Sequence, residues 1–314
     1  MSEAFDIAII GGGPGGYSTA LRAAELGKRV AMIERDATLG GTCLNRGCIP
    51  SKALISATHA IDSIRHAGEL GISATINGID YGTLHDYKKR IVDTMTQGLA
   101  GLLAHRGVTV FRGVASITGA ARPITVHIAA PADGQDVQRS VRSDVPEDIG
   151  PSYDITAQDV VLAMGSAPRQ LPGEPFRGAI IDSTRAMSMA MPHNAVIIGA
   201  GAIAAEFASM WNAAGCKVTM LIRKDRVLSG WDRRAGVTLT RELKRHGIDV
   251  IDRSTVTHID TGVNMGALVH YTNAKDGGST EHIAEGEFVL VAIGRDPLTS
   301  DGWIRDAGVT VDDH

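Results

Sequence analysis

The run Asp6-Ile7-Ala8-Ile9-Ile10 is apolar almost throughout, as a strand buried on both faces must be, and it ends abruptly at Gly11-Gly12-Gly13-Pro14-Gly15-Gly16. A helix is predicted from these glycines to about Leu26. A second apolar strand, Arg29 to Ile33, then ends at Glu34. A further helix opens at Ser51. Over 85–106, Ile91, Met95, Leu99, Leu102 and Leu103 recur at helical spacing and read as core. Residues 108–128 read as short strands with Gly113 and Gly119 at turns. The polar stretch 129–153 lacks periodicity and reads as an exposed loop. A strand ending Ala163-Met164-Gly165-Ser166-Ala167-Pro168 follows, and prolines at 168, 172 and 175 mark a domain boundary.

The opening pattern then repeats. Ala195 to Ile198 feeds Gly199-Ala200-Gly201-Ala202-Ile203-Ala204, a helix to about Ala214, and the strand Lys217 to Leu221. Beyond it the patterning predicts a helix over 239–247 and strands near 250–251, 267–271 and 288–293. Two copies of strand, glycine turn and helix predict an α/β protein with two Rossmann-like dinucleotide-binding domains. The expected bounds are 1–168 and 169–290, with 291–314 as a segment returning to the first domain.

Each turn carries a chemical reason for its glycines. In the first, Gly11 permits the tight turn, Gly13 lets the backbone approach a pyrophosphate, and Gly16 lets the helix pack close to the strand. The helix N-terminus offers unpaired N–H groups to phosphate. Glu34 lies 34 − 11 = 23 residues after the first glycine, where an acceptor for ribose hydroxyls belongs. The same offset in the second copy, 199 + 23 = 222, lands on Ile222, followed by Arg223, Lys224, Asp225 and Arg226. A carboxylate there would bond a ribose 2′-hydroxyl and repel a 2′-phosphate. Its absence beside cations favours NADPH, and the alternative is that these are solvated surface charges and the site takes NAD.

Between the first two strands and the third lies Gly40-Gly41-Thr42-Cys43-Leu44-Asn45-Arg46-Gly47-Cys48-Ile49-Pro50-Ser51-Lys52. Two cysteines with four residues between them, in a glycine-bounded turn at a helix start, are poised to form a reactive local disulfide. A helix N-terminus stabilises a thiolate and sharpens exchange chemistry. Neither a second cysteine pair nor histidine spacing suggests a metal, and none of the eleven histidines is assigned to one. The third cysteine, Cys216, reads as ordinary packing. Two dinucleotide folds flanking a cysteine pair imply an electron route in which a flavin joins a nicotinamide to a dithiol.

Composition narrows the partners. A formal charge of −4, with 31 basic against 35 acidic residues and no dense cationic run, excludes a nucleic-acid or anionic-membrane surface. Three cysteines and an acidic start to the chain fit a cytoplasmic location, with no membrane partner expected.

The cysteine stretch, both glycine turns and Ala163 to Ser166 resemble the class I pyridine nucleotide–disulfide oxidoreductases, closest to dihydrolipoamide dehydrogenase. The resemblance implies FAD on the first domain and NAD or NADP on the second, with Cys48 next to the flavin and Cys43 exchanging with substrate. It implies that Lys52 sits near the flavin and pairs with Glu206. It places FAD against Gly11, Gly13, Pro14, Gly15, Gly16, Glu34, Arg35, Gly41, Thr42, Lys52, Gly113, Val114, Ala115, Gly165 and Ser166. The nicotinamide coenzyme would lie against Gly199, Gly201, Ala202, Ile203, Glu206, Ile222, Arg223, Val256 and Gly294. Pro14, Leu21 and Ser51 are similar to the lipoamide branch, whereas Ala204, Arg223 and Lys224 to Leu228 are similar to NADPH-using glutathione reductases. The substrate implied is a lipoyl-bearing protein or a small disulfide, and an NADPH-dependent disulfide or metal-ion reductase is the alternative. Family members continue through a segment completing the FAD domain and a dimerisation domain with a His-Glu acid/base pair. Nothing matches either here, so the chain reads as the N-terminal portion of a homodimeric parent, ends at His314 and is expected not to turn over alone.

Overall fold

In the computed structural model of the chain, residues 2–141, 147–262 and 266–312 are described. Part of the expected 129–153 loop, and His314, lie outside them. The strands through the first half are β1 (Glu3–Ile10), β2 (Val30–Glu34), β3 (Thr109–Arg112), β4 (Val114–Gly119), β5 (Ile124–Ala129), β6 (Gln138–Val141), β7 (Glu147–Asp148), β8 (Ser152–Leu162) and β9 (Ser166–Pro168). Those of the second half are β10 (Ile180–Ile181), β11 (Asn194–Ile198), β12 (Lys217–Ile222), β13 (Asp249–Asp252), β14 (Ser254–Gly262), β15 (Gly266–Asn273), β16 (Glu281–Gly286), β17 (Phe288–Val291) and β18 (Arg295–Pro297). The helices are α1 (Pro14–Glu25), α2 (Gly41–Arg46), α3 (Cys48–Arg65), α4 (Tyr81–His105), α5 (Ser183–Ala186), α6 (Ala202–Ala213), α7 (Arg233–Arg245) and α8 (Gly302–Asp306). Among the described residues no helix is long and apolar enough to cross a membrane.

The chain divides into two units. The first comprises 1–49, 90–167 and 297–314, and the second 50–89 and 168–296. In the first, an eight-stranded sheet runs β4-β5-β8-β1-β2-β3-β6-β7. Its centre, β8-β1-β2-β3, is parallel, and both flanks are antiparallel. Central strands covered on both faces must be apolar throughout, and every residue of β2 is buried. The sequence reading of 129–153 as a loop is therefore corrected where it is described. Val137 is fully buried, β6 pairs with β3, and β8 begins at Ser152. Polar residues on an antiparallel flank strand, facing solvent on one side, hide the strand from a search for apolar runs.

Helix α4 also corrects the expected core. Leu99 and Leu103 are buried, and Thr96 with them, but Met95 and Leu102 are 45% and 43% exposed. Leu99 and Leu103, four apart, point into the cluster with Met32 and Val108, whereas Met95 and Leu102, seven apart, share the outer side.

The second unit is built on a five-stranded sheet, β10-β17-β11-β12-β13, whose pairings are all parallel. A three-stranded antiparallel sheet, β14-β15-β16, accompanies it. Helix α6 is apolar almost all round and packs Phe207 edge-on against Trp211, ring centroids 5.3 Å apart. Trp211 is 1% exposed, so its truncation to alanine costs about 3–5 kcal/mol. Residues 50–89, placed by the sequence reading in the first domain, pack here because Leu54, Ile55 and Leu84 join the core of Phe207 and Trp211.

Candidate functional site

The same local construction occurs once in each unit. In the first, the Gly11 N–H donates to Ile33 O at 2.8 Å and the Ala163 N–H to Ile10 O at 2.8 Å, so the turn after β1 is held between β2 and β8. In the second, the Gly199 N–H donates to Leu221 O at 3.1 Å and the Ala292 N–H to Ile198 O at 2.8 Å. Gly11 and Gly199 have φ of 108° and 137°, and a Cβ on either would lie 2.2 or 2.3 Å from the carbonyl oxygen of Ala163 or Ala292. Only glycine fits both conditions. A Cβ on Gly16 would sit 1.8 Å from Gly11 O, so α1 crosses its strand too closely for any side chain. The second copy has Ala204 there, fully buried.

What each turn presents is an open helix N-terminus. Gly13 and Gly201 are the N-caps of α1 and α6, neither helix has a side-chain cap, and neither has an acid in its first turn. The first N–H groups of each helix therefore point outward with the positive end of the dipole. A Cβ on Gly201 would meet nothing within 4 Å, and one on Gly13 only Gly41 Cα at 3.7 Å. Both turns lie at the carboxyl ends of parallel strands where the strand order reverses, between β1 and β8 and between β11 and β17. This arrangement accommodates a dinucleotide pyrophosphate.

Glu34, at the end of β2, is 7% exposed. Its Oε2 accepts the Gly12 N–H at 2.7 Å and its Oε1 accepts the Asp36 N–H at 2.9 Å. The carboxylate thus braces the glycine loop, and each oxygen keeps a further lone pair for a ribose hydroxyl. Arg35 is exposed beside it. Gly113 donates to Glu34 O at 2.9 Å, and a Cβ on it would strike Ile128 and Ala129. Val114 is exposed, whereas the Ala115 side chain is buried. Gly165 has φ 77° with open space at its Cβ position, and Ser166 begins β9.

The cysteine stretch is tied to the first turn. The Gly40 N–H donates to Gly12 O at 2.9 Å, and Gly41, at φ 55°, approaches Gly13 so closely that a Cβ would fall 2.7 Å from its Cα. Thr42 and Cys43 follow in the first turn of α2. After Gly47, Cys48 is the first residue of α3, three residues earlier than the helix start expected from sequence. Cys43 is half-buried and Cys48 exposed. Pro50, whose missing N–H costs nothing in a first helical turn, hides that earlier start from the sequence.

In the second unit, Lys52 Nζ donates to Glu206 Oε1 at 2.6 Å, and the buried Ser51 hydroxyl reaches Glu206 Oε2 at 3.4 Å. Lys52 and Glu206, 154 residues apart, are brought together, and Ser51 joins them without having been assigned a part by sequence. Lys52 is 55% exposed, so the pair contributes at most about 1 kcal/mol to stability. Ala202 and Ile203 open α6, and Ile222 is fully buried at the end of β12. Of the cations beyond it, Arg226 is folded into its own turn, donating to Asp225 Oδ1 at 2.9 Å and Ser229 O at 3.2 Å. Arg223 and Lys224 are exposed. Val256 sits at a register shift in β14, and the Gly294 carbonyl accepts the Arg169 N–H at 3.0 Å.

Cys216 is of another kind. Burial pushes its thiol up to about 12, so it stays protonated and unreactive at neutral pH.

The profile of the pyridine nucleotide-disulphide oxidoreductase family matches residues 5–314. The dihydrolipoyl dehydrogenase of Chlamydia pneumoniae is 33% identical over 314 residues, which cover 100% of this chain and 61% of the relative. Dihydrolipoyl dehydrogenase 3 of Pseudomonas aeruginosa is 36% identical over 316 residues, covering 99% of this chain and 62% of its own. The crystal structure of LpdA from Mycobacterium tuberculosis superposes with a TM-score of 0.81 at 26% identity, over 99% of this chain and 62% of that one. The chain thus spans about three fifths of the length of the relatives it matches. With two glycine cradles of one design and a cysteine pair anchored to the first, the match over residues 5–314 places this chain in the pyridine nucleotide-disulphide oxidoreductase family.

Proposed function

We propose that the whole protein is a flavin-dependent disulfide oxidoreductase of the dihydrolipoamide dehydrogenase type, and that this chain carries its nucleotide sites and its redox-active cysteines. The observation that carries the reading is the anchoring of the cysteine stretch to the first glycine cradle, through the Gly40 N–H on Gly12 O at 2.9 Å and the close approach of Gly41 to Gly13. A cysteine pair held there is held beside whatever that cradle binds.

FAD would be held by the open α1 N-terminus at Gly13, Pro14 and Gly15, by the Glu34 carboxylate, and by backbone at Gly165; the uncapped helix and the remaining lone pairs of Glu34 fit it. When bound, the flavin supplies two-electron transfer between a nicotinamide and a dithiol. The protein's own part is to shape and orient. Cys48 opens α3 with an exposed Sγ, which suits exchange. Lys52, ion-paired to Glu206, holds an ammonium whose position is fixed by that carboxylate and by Ser51. The uncapped α6 at Gly201 takes the pyrophosphate of NAD or NADP.

The substrate class is a dihydrolipoyl group on a partner protein, or a small dithiol, and the parent is a homodimer. For residues 1–314 alone we propose no lipoamide turnover. Steady-state assay of the full-length protein with dihydrolipoamide tests the reading, and absence of activity with that dithiol in favour of a glutathione-like disulfide would replace it with the NADPH-dependent reductase. Appreciable lipoamide turnover by residues 1–314 would refute the second part.

A further inference from the structure

The outer face of the antiparallel sheet in the second unit carries a cluster that the redox chemistry does not use. The inner face of β14-β15-β16 is apolar, with Ile259, Ala267, Val269, Tyr271 and Ala284 in one core. Alternation then directs His258, Asp260, His270 and Glu281 to the other side. His258 stands directly opposite His270 in the register, and Glu281 opposite Thr272, two residues along from His270. The imidazoles stack, ring centroids 3.9 Å apart and planes 16° off parallel.

We infer that His258, His270 and Glu281 form a binding site for a divalent first-row transition ion such as Zn²⁺. One ligand atom from each lies within 4.8 Å of the other two. A tetrahedral ion with bonds near 2.0–2.1 Å needs its ligand atoms roughly 3.3 Å apart. Glu281 and His258, whose side chains are 53% and 47% exposed, are free to close that gap by rotation. The edges of the rings are already sorted. Asp260 Oδ2 lies 3.1 Å from His270 Nε2 and 3.7 Å from His258 Nε2. That is the carboxylate partner that fixes a metal-binding imidazole's tautomer and orientation. The opposite nitrogen of His270, Nδ1, is shielded from solvent and makes no hydrogen bond, with Glu281 Oε2 3.3 Å away. An orphaned imidazole nitrogen facing a carboxylate is completed by a cation between them. Two imidazoles select a transition ion over Mg²⁺ or Ca²⁺, and three protein ligands leave a position for water.

Sequence could not disclose this site. Ligands at 258, 270 and 281 come from three strands and match no local metal spacing, so spacing along the chain assigns none of the histidines to a metal.

The test is Zn²⁺ binding, measured by competition with a chromogenic chelator, to the full chain with Cys43 and Cys48 replaced by serine to remove thiolate competition. One saturable equivalent is expected. His258→Gln and His270→Gln should each weaken it at least about tenfold, and Asp260→Asn by about tenfold. Co²⁺ should give visible absorption lost in the same variants. His258 is exposed, so His258→Gln keeps the sheet intact even if His270→Gln unsettles it, and circular dichroism of each variant reports which has happened. No saturable uptake in the serine background, or uptake unchanged in folded His258→Gln, overturns the proposal. Uptake that appears only when the cysteines are restored overturns it equally.

Discussion

Alanine at position 201 is expected to spare the fold and damage dinucleotide binding, whereas alanine at 199 damages both. Gly201 has φ −81° and ψ −177°, a conformation open to any residue, and a Cβ there meets nothing within 4 Å. As an N-cap, alanine is poorer than glycine by about 0.5–1 kcal/mol. Loss of unfolded-state freedom returns about 0.4–1 kcal/mol, so stability should stay within roughly 1 kcal/mol of the parent. Binding is another matter. The methyl projects into the open space before the α6 N–H groups, where a pyrophosphate would hydrogen-bond, and such bonds to a charged group contribute about 1.5–3 kcal/mol. That corresponds to an affinity loss of about 10- to 150-fold. At Gly199, with φ 137° and Ala292 O 2.3 Å from the added carbon, backbone strain alone costs about 1–3 kcal/mol. Urea denaturation gives the stabilities and calorimetric titration with NADPH and NADH the affinities. A Gly201→Ala protein that binds both coenzymes like the parent would refute the placement of the cradle, and one as unstable as Gly199→Ala would refute the reading of that turn as open.

Three further outcomes follow from particular side chains. Arg223→Glu should shift coenzyme preference at least tenfold from NADPH toward NADH, since Arg223 and Lys224 are the cations left exposed once Arg226 is bound into its own turn; an unchanged ratio removes Arg223 from the coenzyme site. Burial first, and then the Lys88 ammonium 3.1 Å from Nδ1, lowers the pKa of His85 from its ordinary 6.5. Between its folded pKa and 6.5 the folded state then binds fewer protons than the unfolded one, so the stability present above 6.5 is lost as pH falls through that window. His85→Asn should flatten that part of the urea-midpoint curve, and an unchanged slope would contradict the assignment. Alkylation of the reduced protein at pH 8, followed by peptide mass mapping, should modify Cys48 long before Cys216, whose thiol is pushed up to about 12; comparable rates would show that the burial of Cys216 is not maintained in solution.

The parts of this fold that sequence discloses are those where local chemistry leaves no choice. Gly11 and Gly199 sit where a positive φ and a facing carbonyl forbid every other residue, so strand, turn and helix could be read twice and the parallel strands at the heart of both units inferred. The antiparallel flanks were less legible. Strand β6 carries Gln138, Arg139 and Ser140, is recognised as a strand through its pairing with β3 and β7, and offers no apolar run. Met95 and Leu102 fit the helical stripe of Leu99 and Leu103 in spacing, yet which side of α4 meets the sheet is decided by tertiary packing. The pairing of Lys52 with Glu206 followed only from family resemblance, since nothing local links residues 154 apart. The histidine cluster is the extreme case, because cross-strand register alone assembles it.

The proposed electron route runs from a nicotinamide coenzyme through FAD to the cysteine pair anchored to the first cradle. Its most direct test is anaerobic: the oxidised chain, reconstituted with FAD, is mixed with NADPH or NADH, quenched with an alkylating agent, and mapped by peptide mass. Cys43 and Cys48 should become alkylated together only when both FAD and the coenzyme are present, with Cys216 unchanged. Failure of the two thiols to appear under those conditions, or their equal appearance without FAD, would rule that route out.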